Sequence, residues 1–360
     1  MNSPKTKSLS SIRDPERLVD AIIAEAVDAR ASDLFWIPAS DRYDVCYRSD
    51  GRMESAVSIP REVGTQCVAR IKVLASLLTY RTRIAQDGVI RYTRTTPDVE
   101  IRVAVLPSLH GERATLRIFR TDSPMLCLDE LGFSPDATTT LNNILNRPGG
   151  LIILTGPTGA GKTTTIYALI RELIRRDEDP AGIITVEDPI EVTIDGVTQT
   201  AVTTHGDWNY KTALRAALRQ DVKTLVIGEL RDREIIETTL DAALSGHRVI
   251  TTYHAGDIPG VYTRLLHQGI EPFLVASAVT GVVSQRLLPL ENGQGLTPVA
   301  AVLDPDAPWR SLVMEKPGLT RLRDEIRKYP VADLALCAKH LVSEGIVAES
   351  DFKMLRDSLS

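Results

Sequence analysis

The chain has 360 residues, longer than one hydrophobic core usually grows, so two domains are the natural expectation. Hydrophobic residues at 43% and charged residues at 25% give the balance of a soluble globular protein. A net charge of −5 and a pI near 5.8 speak against a basic body built to neutralise nucleic-acid phosphates.

Cys46, Cys67, Cys127 and Cys337 are scattered and include no C-x-x-C pair. Free thiols in a reducing cytosol are therefore expected, with no structural zinc and no disulfide framework. The opening residues carry positive charge without a following apolar segment, so no secretory signal is read. No stretch approaches the roughly 18 consecutive apolar residues of a membrane span. Work at a membrane would need recruitment by a partner.

Residues 1–13 read as a polar arm. Asp14-Pro15-Glu16 then supplies an N-cap, a proline at the first helical position and a first-turn acid. Leu18, Val19, Ile22, Ile23 and Ala26 give the helix an apolar face. A short apolar run at 34–37 and an alternating strand at 43–48 follow, with a turn at 49–52. Val68, Ile71, Leu74, Leu77 and Leu78 predict a second helix, and 101–106 and 114–119 two further strands. Residues 14–120 thus read as a small α+β domain. Residues 121–132 suit a linker.

From 133 to 360 the pattern changes. Apolar runs at 151–155, 183–186, 225–227 and 249–252 alternate with helical segments at 163–176, 210–220 and 233–245. Continuous apolar strands separated by helices predict an α/β unit whose parallel sheet is covered on both faces.

Gly156-Pro157-Thr158-Gly159-Ala160-Gly161-Lys162-Thr163 fits G-x-x-x-x-G-K-[ST] at every fixed position, between a predicted strand and a predicted helix. Glycines let the backbone curl so that N–H groups face phosphate oxygens. Lys162 is expected at the β/γ-phosphates and Thr163 at Mg²⁺, with Thr164 opening the helix whose positive end faces the anion. Binding and hydrolysis of ATP follow as the expectation.

Three strand ends narrow the chemistry. The run 225–228 ends at Glu229, long enough to polarise an attacking water. The strand at 183–186 runs into Glu187, Asp188 and Glu191, carboxylates suited to a metal or a water at the sheet edge where ligands bind. The strand at 249–252 leads to His254, a candidate γ-phosphate sensor.

These segments resemble those of the type II/type IV secretion ATPases. ITVEDPIE at 184–191, LVIGELRD at 225–232 and GHRVITTYHAGD at 246–257 stand in that family's order and spacing after the phosphate loop. The resemblance covers roughly residues 15–290 and leans to assembly-type members through His110-Gly111-Glu112-Arg113 and Gly269-Ile270-Glu271-Pro272. It implies a PAS-like first domain, a RecA-like phosphate-loop ATPase domain and assembly as a homo-hexamer. It also implies docking on an inner-membrane platform protein from the cytoplasmic side, with no insertion into the bilayer. Arg102, Arg113 and Arg117 fall where the family's first domain reaches the nucleotide; alternation alone would make them a solvated face. Such arginines can contribute about 10³-fold or more to phosphoryl transfer.

The sequence departs from the family at Thr252-Tyr253-His254-Ala255, where Thr-Leu-His-Thr is more usual, and it lacks the four-cysteine zinc motif. The tail after Leu290 matches no family segment, although helical stretches surround Ile326, Leu334, Leu336 and Leu341. Pilus retraction and conjugation are alternatives within the family. A nucleic-acid motor, a GTPase and a non-hydrolysing regulator are rivals outside it. The acidic balance, the absence of Asn-Lys-x-Asp and the presence of Glu229 weigh against these three in turn.

Overall fold

A computed structural model describes residues 9, 12, 14–49, 52–92, 99–120, 126–176, 178–202, 207–293 and 295–359. Most of the expected arm at 1–13, the first part of the expected linker and the centre of the 49–52 turn lie outside them. The chain forms two compact units, Met1–Ser123 and Pro124–Ser360.

In the first unit, helix α1 (Pro15–Asp28) begins where Asp14 accepts the Glu16 N–H at 2.9 Å. Its face of Leu18, Val19, Ile22, Ile23 and Ala26 is buried. Strands β1 (Asp33–Pro38), β2 (Arg42–Ser49) and β3 (Arg52–Pro60) precede helix α2 (Arg61–Leu74), and β4 (Gln86–Tyr92), β5 (Val99–Ser108) and β6 (Gly111–Arg120) follow it. They form one antiparallel sheet in the order β3-β2-β1-β6-β5-β4. Alternation on β5 sends Ile101 and Val103 into the core and leaves Arg102 outside it.

Two expectations need correction here. Helix α2 stops at Leu74 rather than running through Leu77 and Leu78. Ser76 turns left-handed (φ 59°), and the N–H groups of Ser76 and Leu77 close on the carbonyls of Val73 and Lys72. Strands β3 and β4 were not expected. They are the two edges of the sheet, where half-exposed residues blur the alternation that marks an inner strand.

The second unit opens with a short turn in which Leu128 and Leu131 are already buried in its core. Helix α3 (Pro135–Leu145) leads to β7 (Gly150–Thr155), α4 (Lys162–Arg175), β8 (Ile183–Glu187) and β9 (Thr198–Ala201). Then come α5 (Tyr210–Ala217), β10 (Thr224–Ile227), α6 (Arg233–Leu244) and β11 (Arg248–Tyr253). Helices α7 (Ile258–His267) and α8 (Pro272–Ala278) precede the hairpin β12 (Val279–Pro289) and β13 (Leu296–Leu303). The sheet order is β13-β12-β7-β11-β10-β8-β9, parallel throughout except for the β12–β13 pair.

Each inner strand is buried on both faces, as its unbroken apolar run predicts. Leu151, Ile153, Leu225, Ile227 and Val249 enter one hydrophobic core with α5, α6 and α7. Their neighbours Ile152, Leu154, Val226 and Ile250 enter the other with α3 and α4. This layering is what brings the C-terminal ends of β7, β11, β10 and β8 to one edge.

The tail belongs to the first of these cores. Helices α9 (Ala307–Met314), α10 (Leu319–Ile326), α11 (Leu334–Ser343) and α12 (Glu349–Leu359) supply Trp309, Leu322, Ile326, Leu334, Phe352 and Leu355 to it. Trp309 is fully buried and packs edge-on against Tyr262 and Tyr329, with ring centroids 5.3 and 5.8 Å away. Trp309→Ala is expected to cost about 3–5 kcal/mol, read as a lowered thermal midpoint. An unchanged midpoint would detach the tail from the core. No helix among the described residues is long and apolar enough to cross a membrane.

Candidate functional site

The loop between β7 and α4 carries Gly156 to Thr163. Gly161 (φ 83°) caps α4 in the left-handed region and has no side chain to bond the first-turn N–H groups. No acidic residue stands in that turn, so the positive end of the helix is uncompensated by its own sequence. At Gly156 a side chain is impossible, because a Cβ would lie 2.5 Å from the Gln285 carbonyl oxygen. A glycine-rich loop leading into the positive end of a helix is the arrangement that suits a phosphate.

Lys162 Nζ donates to the Gly156 and Pro157 carbonyls at 2.9 and 2.8 Å. Burial lowers its pKa, the nearby Arg286 cation lowers it further, and the Glu229 carboxylate opposes both. Thr163 Oγ1 donates to Glu191 Oε1 at 3.3 Å.

Beneath the loop lies Gln285, almost fully buried on β12. Its amide donates to the Ala160 carbonyl at 2.5 Å and its oxygen accepts from Thr165 Oγ1 at 3.0 Å. The next residue, Arg286, reaches Gly256 O at 2.5 Å, and its guanidinium lies beside Gly156. Sequence reasoning gave neither residue a role. The signal was present: Ser284, Gln285 and Arg286 are consecutive polar residues between the apolar pairs Val282-Val283 and Leu287-Leu288. Gln285→Leu strands a buried carbonyl and hydroxyl at a cost of about 1–3 kcal/mol. We expect a lowered melting temperature with weakened nucleotide binding; a fully stable, fully binding variant would remove this support.

Glu187 ends β8 inside the core. It accepts hydrogen bonds from Tyr167 Oη at 2.5 Å, Thr185 Oγ1 at 2.5 Å and Gln199 Nε2 at 3.2 Å. Tyr167 Oη in turn accepts the Glu191 N–H at 3.0 Å. Tyr167 and Thr163 stand four residues apart on α4, so one helix face holds Glu191 by backbone and side chain together. Burial and the Glu187 carboxylate push the Tyr167 hydroxyl far above its ordinary pKa, keeping it a neutral donor.

Glu229 follows β10, its backbone fixed on both sides. Gly228 N–H donates to Val186 O at 2.8 Å, and Thr252 Oγ1 donates to Gly228 O at 2.6 Å. The Glu229 carboxylate pairs with Arg231 and stands 3.2 Å from His254 Nε2. Arg231 also approaches Asp188 at 3.5 Å and lies over the Tyr210 ring. The structure therefore gathers the phosphate loop, Glu187, Asp188, Glu191, Glu229 and His254 at one edge of the second sheet.

Arg102, Arg113 and Arg117 stand on the outer face of the first unit's sheet. Arg102 and Arg117 are direct cross-strand partners. Arg117 Nε donates to Asp33 Oδ1 at 3.0 Å, and the Arg102 and Arg113 guanidiniums lie over the rings of Phe119 and Phe35. Among the described residues no three His, Cys, Asp or Glu side chains form a metal-holding group. A hydroxyl and scattered carboxylates at a phosphate cradle still fit Mg²⁺, which takes few protein ligands and shares phosphate oxygens and water.

A family model described as "Type II/IV secretion system protein" matches residues 10–320. The chain belongs to this family. Two relatives from Pseudomonas aeruginosa fall in the same group. The type II secretion system protein E is 40% identical over 288 residues, 79% of this chain and 57% of the relative. The type II secretion system protein HxcR is 39% identical over 272 residues, 76% of this chain and 57% of the relative. The chain thus spans a little over half the length of these relatives. The X-ray structure of the Legionella pneumophila ATPase DotB superposes with a TM-score of 0.79 at 21% identity, covering 97% of both chains, a likeness of fold. Within this secretion-family chain, the unusual Tyr253 is accommodated by burial, with Arg264 stacked over its ring at 5.5 Å.

Proposed function

We propose that the chain is a motor ATPase that hydrolyses ATP to power a type II secretion, pseudopilus or type IV pilus machine. The observation that carries this reading is the meeting of Lys162, Thr163, Glu191, Glu229 and His254 at the ends of neighbouring parallel strands. In this reading the second unit is a RecA-like domain and the first a PAS-like one. The loop and Lys162 bind the phosphates, Lys162 leaving the loop carbonyls for the β/γ-oxygens.

Thr163, with Asp188 and Glu191 nearby, would hold Mg²⁺, which supplies charge neutralisation at the phosphates. Glu229 orients the attacking water and takes its proton, while His254, bonded to Glu229, responds to the γ-phosphate. Glu187 acts as a positioning residue through Tyr167. Arg102, Arg113 and Arg117 are the candidate stabilisers of the developing γ-phosphate charge, as the family resemblance implies. Repeated around a homo-hexamer on an inner-membrane platform protein at its cytoplasmic side, the cycle delivers displacement.

Phosphate release by the purified chain tests this directly. Turnover of ATP that needs Mg²⁺ and ignores added DNA is expected. Strong stimulation by DNA would favour a nucleic-acid motor, and no turnover under any condition would leave a binding protein.

A further inference from the structure

The tail has a contact that packing alone does not require. Arg323, on α10, places Nε 3.2 Å from Asp257 Oδ2, and the Asp257 side chain is largely buried. The other carboxylate oxygen of Asp257 accepts the Gly260 N–H at 2.7 Å and so caps α7. Asp257 closes a four-residue loop that begins at His254, and the three residues before it each bond to the site. His254 bonds to Glu229. The Ala255 carbonyl accepts from Thr155 Oγ1, immediately before the phosphate loop, at 2.8 Å. The Gly256 carbonyl accepts from Arg286, whose guanidinium lies beside Gly156.

We propose that Arg323 is a positioning residue through which the tail sets nucleotide affinity, by holding Asp257 away from Arg286. The inference rests on the nucleotide-site reading above and names a regulator of that site. Asp257 pairs with Arg323 on the tail, and Arg286, bonded to the neighbouring Gly256 carbonyl, lies close enough to feel its charge. With Arg323 removed, the carboxylate is left to attract Arg286. Arg286 then turns from Gly256 and the phosphate loop toward Asp257, and the 254–257 loop shifts with it. Phosphate loses a neighbouring cation, so binding weakens while the water-activating group Glu229 stays in place. A force or a partner acting on α10 would reach the nucleotide by the same path.

The test compares Arg323→Ala with Arg323→Lys and with Arg321→Ala in the full chain. Arg321 lies on the same helix, is exposed, and pairs with Glu315. Arg323→Ala should raise the Kd for a fluorescent ATP analogue and the KM for ATP by about fivefold, with kcat changed less than about twofold. Arg323→Lys should recover most of the affinity, and Arg321→Ala should match the parent. Thermal melts of all three show whether the fold is intact. Parent-like affinity in Arg323→Ala, or an equal loss in Arg321→Ala, would overturn the inference. A parent chain that binds no ATP analogue would instead overturn the functional reading on which it rests.

Discussion

Glu229→Gln is expected to bind ATP with near-parent affinity and to lose hydrolysis by about 10²- to 10⁴-fold. The substitution keeps the length, the planar end and an oxygen that can still accept from Arg231. What it removes is the negative charge and the capacity to take a proton from water. The strand end itself is held by the Gly228 and Thr252 bonds, which the substitution does not touch. Structure and affinity should therefore survive while chemistry fails. Trapped ATP on the variant, with phosphate release near background, is the expected pair of readings. Parent-like turnover would take Glu229 out of the water-activating role and hand the question to Asp188 or Glu191.

Lys162→Ala should weaken nucleotide binding on the order of 10- to 100-fold, the scale of one charge-assisted hydrogen bond. A proton signature distinguishes this from simple loss of packing. In the free protein, burial and Arg286 lower the Lys162 pKa; a bound polyphosphate would raise it again. Between those two values the lysine is neutral when free and charged when bound, so binding takes up a proton. Affinity must then fall as pH rises through the lowered value. Titration calorimetry in alkaline buffers of different ionisation enthalpy measures that uptake. Its persistence in Lys162→Ala would assign the proton to another group.

Much of this unit could be read from the chain alone, for a physical reason. The phosphate loop, the apolar strands and the acids that end them are each local patterns, fixed within about ten residues by backbone need or by burial on both faces. Glu229 and His254 stand where strand ends predict them. What the sequence hides is pairing across distance. Nothing local says that Gln285 reaches under Ala160, that Tyr167 bridges Glu187 and Glu191, or that Arg323 meets Asp257. The edge strands β3 and β4 were hidden for the opposite reason, since half-exposed residues give too little alternation to read. The end of α2 was missed because a left-handed Ser76 carries no distinctive residue type.

Successive residues along each inner strand of the second sheet alternate between two hydrophobic cores. Sliding such a strand by one position would exchange one aliphatic side chain for another on each face, so hydrophobicity alone cannot fix its register. The buried threonines can. Thr155 bonds to Ala255, Thr224 to Glu178 and Thr252 to Gly228, each at a strand terminus or next to one. A slipped strand would leave these hydroxyls and their partners unpaired in the interior, a penalty that shape does not impose. The polar pegs that align the strands therefore also align Lys162, Glu229 and His254 with one another. Folding to the wrong register and losing the active geometry are, in this sheet, the same error.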